Sequence, residues 1–383
     1  MSELTPSRLT LARKRKGLSL AALSRLSGVS TRSLTNYEGG HAHPSAESLT
    51  ALAEVLDVPV KFFSAPEIDE IEPAAASFRA LSKMSAPKRD AATSAGRLGI
   101  ELNRWIEERF RLPAANVPRL EREGQGPNAA AAVVRERWQL GELPIANVIH
   151  MLEAQGVRVF TLPEHLSDVD AFSLWWEGTP FMFLNPRKGG ERGRFDAAHE
   201  LAHLSMHADR DLPGGREREI EANRFAAAFL MPEAAVRAAG LEHATVDRIL
   251  AGKKKWTVAA MALTHRLHEL GLLTDWEYQA RCKQLAQRGY RSFERGGIAR
   301  ESSQLLDKVF RALREQGNAL SDVASGVYLS PEEVNTYVFG LVMTMVPGGV
   351  SVGSTPTRPS LEVLSGGLAE ANRPPHAFSA NED

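Results

Sequence analysis

The chain has 383 residues, of which 43% are hydrophobic and 24% charged, and this excludes wholesale disorder and a collagen-like sequence. The formal net charge of −1 excludes polyanion binding over the whole surface, so any nucleic-acid site must be a local patch. The length predicts two or three domains. Because Cys282 is the single cysteine, no internal disulfide can form. No apolar stretch approaches the roughly 20 residues that span a bilayer, so we expect a cytoplasmic protein with no membrane contact.

Residues 1–64 are predicted to form a helical block. Gly17, Gly28 and Gly39 each end a short helical stretch, and Pro44 opens a further helix. Two short helices joined by a tight glycine turn are typical of a helix-turn-helix. The block carries eight Lys and Arg against five Asp and Glu, a local net charge of +3. We therefore predict a DNA-binding block; the alternative is a helical dimerisation or protein-docking module.

The helix that begins at Thr31 is predicted to read DNA. Leu34 and Tyr37 would pack inward at helical spacing, which leaves the polar side chains facing out. Arg and Asn make bidentate contacts to guanine and adenine edges, and Ser and Thr reach bases or phosphates. We expect a homodimer on a double-stranded DNA operator. The predicted DNA contacts are Thr31, Arg32, Ser33, Thr35 and Asn36, with Arg13, Arg15 and Lys16 from the basic end of the first helix.

The turns and caps of this block follow a pattern known from one family. The pattern consists of Gly17-Leu18-Ser19, Leu23, Ser27-Gly28-Val29-Ser30, Tyr37-Glu38-Gly39-Gly40 and Pro44-Ser45. It resembles the lambda-repressor-like (Cro/C1, or XRE) helix-turn-helix family, which implies a five-helix-type DNA-binding domain. The family usually has Gln after the capping serine, where this chain has Leu20, so one phosphate contact of the family is in doubt here.

The middle of the chain changes from helical to strand periodicity. Residues 65–126 are predicted to be an acidic linker followed by an amphipathic connector helix at about 87–110. Two further helices are expected at 128–140 and 144–154, and then the hydrophobic period changes from 3.6 to 2. An exposed edge on the last of the strands could take an extended peptide by strand addition. The three predicted strands are Val157–Leu162, Ala171–Trp176 and Phe181–Leu184.

Helical sequence resumes near Gly193 and continues with breaks to about Met345, and Lys253-Lys254-Lys255 is interpreted as an exposed turn. We divide this part into an α+β domain at 127–275, a C-terminal helical region at 276–346 and a disordered tail at 347–383. The tail contains five Pro, five Gly and five Ser in 37 residues. The predicted fold class is mainly α with a small β-sheet.

The motif His199-Glu200-Leu201-Ala202-His203 points to a metal site. Residues four apart lie on the same face of a helix, so both imidazoles can reach one ion, while Glu200 is placed to act on the attacking water. A catalytic zinc site needs a third protein ligand. The helical segment at 219–232 has an acidic start, and its packing on the active helix would aim Glu221 at the ion.

The two segments, His199–His203 and Glu221-Ala222-Asn223 with Leu230-Met231-Pro232, resemble the ImmA/IrrE family of metallopeptidases. The resemblance implies a zincin-like α+β fold, a Zn²⁺ ion (Mn²⁺ is the runner-up), ligands His199, His203 and Glu221 in preference to Glu219, and Glu200 as the catalytic base. His207 lies a further helical turn, about 6 Å, beyond the ion and is expected beside the ligands. Asn223 and Arg224 are further candidates for groups around the site.

Two functional hypotheses follow. The first is a DNA-binding transcriptional regulator that carries a zinc-dependent endopeptidase. The family resemblance implies that its substrate is a repressor or antitoxin-like protein in a stress, phage or mobile-element response. The second is a DNA-binding repressor whose metal domain is a sensor or partner-binding module without turnover. An intact Glu200 favours the first, because a sensor has no need of a carboxylate between the ligands.

Overall fold

The computed structural model of the protein describes residues 4–71, 77–78, 84–120, 126–207, 215–342 and 362–363. This part of the chain is mainly helical with a small sheet, which confirms the predicted fold class. The predicted disordered tail at 347–383 lies outside the described residues, apart from Glu362–Val363. No helix among the described residues is both long and apolar enough to cross a membrane.

The N-terminal block contains four α-helices and a 3-10 helix. Its turns form as predicted: Ser19 and Ser30 accept hydrogen bonds from backbone N–H groups at the starts of the second and third helices, and Gly28 ends the second with φ 73°. The elements are α1 (Pro6–Arg15), α2 (Leu20–Ser27), α3 (Thr31–Glu38), α4 (Ala46–Leu56) and the 3-10 helix Val60–Ser64.

Helix α5 (Ala86–Glu107) separates this block from the sheet. It packs against α1 on one side and approaches two sheet phenylalanines on the other. A Cβ added at Gly96 would lie 2.7 Å from the ring of Phe172, and one at Gly99 would lie 2.6 Å from the ring of Phe183. The two glycines therefore permit the close approach of this helix to the sheet.

The sheet has the order β1-β4-β5-β3. β4 and β5 form the predicted hairpin, with Glu177 and Gly178 at positive φ in its turn. β3 runs parallel to β5, and β1 pairs antiparallel with β4. Since β5 lies between two strands, the predicted addition of a peptide to Phe181–Leu184 is wrong. The strands are β1 (Ser77–Phe78), β3 (Arg158–Thr161), β4 (Ala171–Trp176) and β5 (Thr179–Leu184), with a separate pair β2 (Phe110–Arg111) and β6 (Glu362–Val363).

The remaining helices surround the sheet and continue past it. They are α6 (Pro127–Arg137), α7 (Val148–Ala154), α8 (Gly190–Met206), α9 (Gly215–Leu230), α10 (Glu233–Arg237), α11 (Val246–Trp256), α12 (Ala260–Glu269), α13 (Asp275–Gln287), α14 (Gln304–Glu315), α15 (Leu320–Gly326) and α16 (Pro331–Val342), with a 3-10 turn at Glu164–Leu166. α16 packs on β3, where the hydroxyl of Thr161 donates to the carbonyl of Tyr337 over 2.7 Å. The C-terminal helices thus cover one edge of the sheet.

A buried ion pair ties the N-terminal block to the C-terminal helices. The guanidinium of Arg15 on α1 pairs with Glu333 on α16, and it also donates to the carbonyl of Leu56 over 2.7 Å. Arg15 is fully buried, and the neighbouring ring of His165 lies 3.2 Å from its carbonyl oxygen. The block therefore contacts the C-terminal helices through α1.

Candidate metal centre and nucleic-acid interface

Helix α8 carries the metal motif and is buried along most of its length. Small residues face its neighbours, and Ala198 and Ala202 are fully buried. β4 lies along it, where the indole N–H of Trp175 donates to the carbonyl of Leu204 over 3.0 Å. α9 packs on another side. The motif is thus held between a strand and a helix.

His199, His203 and Glu219 converge on one point. The two Nε2 atoms are 3.2 Å apart, and each lies 3.4 Å from an oxygen of Glu219. The ligand atoms of all three lie within 4.8 Å of one another, and both imidazoles are buried. Zinc–ligand bonds of about 2.0–2.2 Å in a tetrahedral arrangement require ligand atoms about 3.3 Å apart. The three side chains present therefore fit a zinc ion.

Glu221, which the resemblance favours as the third ligand, lies elsewhere. Its Oε2 is 3.0 Å from Nε2 of His207, one helical turn beyond His203. Residues two apart on a helix point about 200° away from each other, so one helix phase cannot aim both Glu219 and Glu221 at the same ion. The geometry corrects the choice between the two carboxylates in favour of Glu219.

The electrostatics of the cluster suit a cation. Burial lowers the pKa of His203, so its ring stays neutral and able to donate a lone pair at neutral pH. Burial raises the pKa of Glu219, but the hydrogen bonds from His199 and His203 outweigh it and hold that pKa at about 2. Two imidazoles and one ionised carboxylate are the ligand forms that zinc requires.

Further polar groups orient the two imidazoles. Nδ1 of His199 lies 3.2 Å from Oδ1 of Asn223, and Nδ1 of His203 lies 3.0 Å from Nδ1 of His207. His207 is in turn held by Glu221. Such partners fix the orientation of metal-binding imidazoles. His207 and Asn223, which were candidates for groups around the site, make these contacts. Arg224 is exposed and makes no hydrogen bond or ion pair with the described residues, so its predicted place at the site is not supported.

Glu200 is fully buried and is held by a residue that the sequence did not indicate. The hydroxyl of Ser173 on β4 donates to Oε2 of Glu200 over 2.7 Å and lies 3.2 Å from its carbonyl oxygen. The sequence does not predict this contact, because a single serine in an apolar strand belongs to no motif that links it to Glu200. The strand thereby fixes the carboxylate of the residue that directly follows His199.

Helix α3 presents the predicted DNA-reading face. Thr31, Arg32 and Thr35 are exposed and Ser33 and Asn36 are half-buried, whereas Leu34 and Tyr37 are buried. The hydroxyls of Ser33 and Thr35 bond within the helix or its cap. Arg32 and Asn36 form no side-chain hydrogen bonds to the described residues. They are therefore the side chains most available for base edges.

The basic end of α1 is mostly engaged within the protein. Arg15 is buried in its ion pair with Glu333, so the prediction that it contacts phosphate is wrong. Arg13 forms two hydrogen bonds to Glu38, at 2.6 and 2.8 Å. Lys16 pairs with Asp57 at 3.1 Å but stays partly exposed. Of the three basic residues predicted to contact phosphate, Lys16 is the one that we keep as a candidate.

Two parts of the chain match models of known families. Residues 9–63 match the helix-turn-helix family model, and residues 152–268 match the model of the peptidase family described as the IrrE N-terminal-like domain. No curated protein matches the chain. The chain thus joins an XRE-type helix-turn-helix domain to an IrrE/ImmA N-terminal-like domain, as both resemblances predicted. The matches support a DNA-binding regulator with a peptidase-like domain.

Proposed function

We propose that the protein is a transcriptional regulator whose peptidase domain is a zinc-dependent endopeptidase that cleaves a repressor or antitoxin-like protein. The observation that carries the proposal is the position of Glu200: it is buried, follows His199 directly and is held by Ser173. In a motif of this spacing, the carboxylate that follows the first metal-binding histidine serves proton transfer. A module that only binds a metal has no use for it.

His199, His203 and Glu219 would hold the ion, as their spacing and charge allow. When bound, zinc would polarise a peptide carbonyl and acidify a water molecule at this site. Asn223 and His207 orient the two rings. These residues thus keep the ligand set rigid during the reaction.

Glu200 acts as general base and then as general acid. Its carboxylate takes a proton from the attacking water as the bond between the water oxygen and the carbonyl carbon forms, and it returns that proton to the leaving amine as the peptide C–N bond breaks. Ser173 holds one oxygen of the carboxylate and so fixes the orientation of the proton acceptor. The surrounding apolar residues keep bulk water from competing for the proton.

The helix-turn-helix block binds double-stranded DNA as a homodimer on an inverted repeat in this proposal. Arg32 and Asn36 read base edges, and the half-sites lie about one helical turn apart, since each α3 must enter a major groove on the same face. The ion pair between Arg15 and Glu333 ties the block to the C-terminal helices.

The experiment that tests the proposal begins with mapping of the operators that the protein occupies in its host cell. The proteins encoded beside those operators are then incubated with the zinc-loaded full chain and with its Glu200→Gln variant. Cleavage of one of them by the wild type, and not by the variant, is the expected result. Absence of cleavage by the wild type, with zinc content confirmed, contradicts the endopeptidase proposal.

A further inference from the structure

A cleft of about 540 Å³ lies at the start of α8. Its walls come from the residues before and within the first turn of α8, from the start of α12 and from the segment after α13. Gly190, which begins α8, is nine residues before His199, or about 13 Å along the helix axis. The cleft is therefore separate from the metal centre, although both lie on the same helix.

The cleft is lined by basic side chains. Five Arg and Lys residues line it, whereas the whole chain has a net charge of −1. Two of the five are paired, Arg187 with Glu164 and Lys188 with Asp170. The other three make no ion pair or hydrogen bond with the described residues. These three are Arg192, Arg291 and Arg300.

The acidic residues of the cleft are already neutralised in part. Lys253 is buried and lies 3.3 Å from Glu191 and 3.0 Å from Glu294, so the predicted exposed turn at this lysine is wrong. Glu191 also accepts the backbone N–H of Ile298 over 3.2 Å. Because both carboxylates are engaged with Lys253, they do not pair with the three free arginines. The cleft thus keeps an excess of positive charge.

Two aromatic rings stand beside the arginines. Tyr290 lines the cleft, and Phe293, which also lines it, is 71% exposed. An exposed phenylalanine beside guanidinium groups offers a stacking surface for a planar ring.

We propose that this cleft binds a nucleotide, with the phosphate held by Arg192, Arg291 and Arg300 and the base stacked on Phe293. Its volume falls within the range of small-molecule sites, and guanidinium groups match phosphate geometry. A ligand bound there contacts the first turn of the helix that carries His199 and Glu200. The site goes beyond the proposed endopeptidase function and does not depend on it.

Isothermal titration calorimetry of the full chain tests the site, with adenosine 5′-monophosphate and inorganic phosphate as probes. We expect the nucleotide to bind at least about tenfold more tightly than phosphate, and each Arg192→Gln or Arg300→Gln change to weaken nucleotide binding about tenfold. Phe293→Ala should weaken the nucleotide and leave phosphate unchanged. Arg314→Gln is the matched control, because Arg314 is an exposed arginine on α14 and away from the cleft.

Three results would overturn the proposal. They are no binding of either probe, equal affinity for the two probes, and an equal loss in the Arg314→Gln control. The variant His199→Ala separates the cleft from the metal centre. It should bind the nucleotide as the wild type does, and a loss in this variant would mean that the phosphate binds at the metal ligands instead.

Discussion

Ser173 and Glu200 form a buried hydrogen bond between β4 and α8, with 2.7 Å between Oγ and Oε2. The bond joins the sheet to the residue proposed as the catalytic base. It leaves Ser173 without a direct role in binding the ion, since its hydroxyl faces the carboxylate. Ser173 is therefore a positioning residue, and its loss should affect the reaction and not the metal content.

We expect Ser173→Ala to lower kcat about tenfold without changing KM or the zinc content, because a hydrogen bond to a charged group contributes about 1.5–3 kcal/mol. Steady-state kinetics, with elemental analysis of both proteins, measures kcat, KM and zinc content, and an unchanged kcat would exclude the positioning role.

The two carboxylates of α9 should differ in metal binding. Glu219→Gln removes the oxygens that lie 3.4 Å from both imidazoles, so the variant should lose zinc on dialysis. Glu221→Gln alters the partner of His207, and the variant should keep one zinc per chain with an affinity about 10–100-fold weaker. Elemental analysis after dialysis against a weak chelator distinguishes them. The reverse pattern would restore Glu221 as the ligand.

Glu219 and Glu221 also show which part of the metal site can be predicted from the sequence. The motif at 199–203 predicts two imidazoles on one helix face from spacing alone, and the structure places them so. The rotation of α9 about its axis depends instead on how Ala222, Phe225 and Phe229 pack against other elements. Spacing within one helix does not determine that rotation. The choice between Glu219 and Glu221 therefore required the tertiary structure.

Arg15 illustrates the same limit for the helix-turn-helix block. The caps and turns of the block were predicted correctly because serine and glycine act within a few residues. The partner of Arg15 is Glu333, which lies far along the chain on α16. A run of four basic residues covers every face of a helix, and only the docking of distant elements decides which of them is buried.

Glu153 should make stability depend on pH. It is fully buried and caps α14, and burial raises its pKa from the usual 4.5 to about 7. The folded state therefore holds the proton more tightly than the unfolded state. The proton therefore adds about 3 kcal/mol to the free energy of unfolding below about pH 4.5, and this contribution is lost as the pH rises to about 7.

Glu153→Gln removes this titration. The difference in unfolding free energy between wild type and variant should therefore change across that pH range, and the wild type should gain relative stability toward acid. Urea denaturation of both proteins at several pH values measures it. Titration of the buried imidazoles is common to both proteins and cancels in the difference. Parallel stability curves would contradict the prediction.

Arg32 on α3 should contribute to DNA recognition. Its side chain is exposed and makes no bond to the described residues, so Arg32→Ala should weaken operator binding by about 1–3 kcal/mol and relax preference at one base pair. Arg25→Ala on α2 is the matched control, since it also removes one exposed arginine. Binding to operator and single-base variants, at fixed salt, makes the comparison. Equal losses in both variants would indicate general electrostatic attraction.

Glu200→Gln separates the two functional hypotheses. The change keeps the size of the side chain and the contact with Ser173, and Glu200 is not among the three residues whose ligand atoms converge, so zinc and DNA binding should be retained. Because the variant lacks the proton acceptor, its rate of peptide cleavage should fall roughly 10²–10⁴-fold. An endopeptidase with this change should occupy its operator and leave its target intact, so the regulated genes stay uninduced. A metal-gated repressor without turnover should respond to its signal as the wild type does. A response of the variant equal to that of the wild type, with its zinc content confirmed, would exclude the endopeptidase hypothesis.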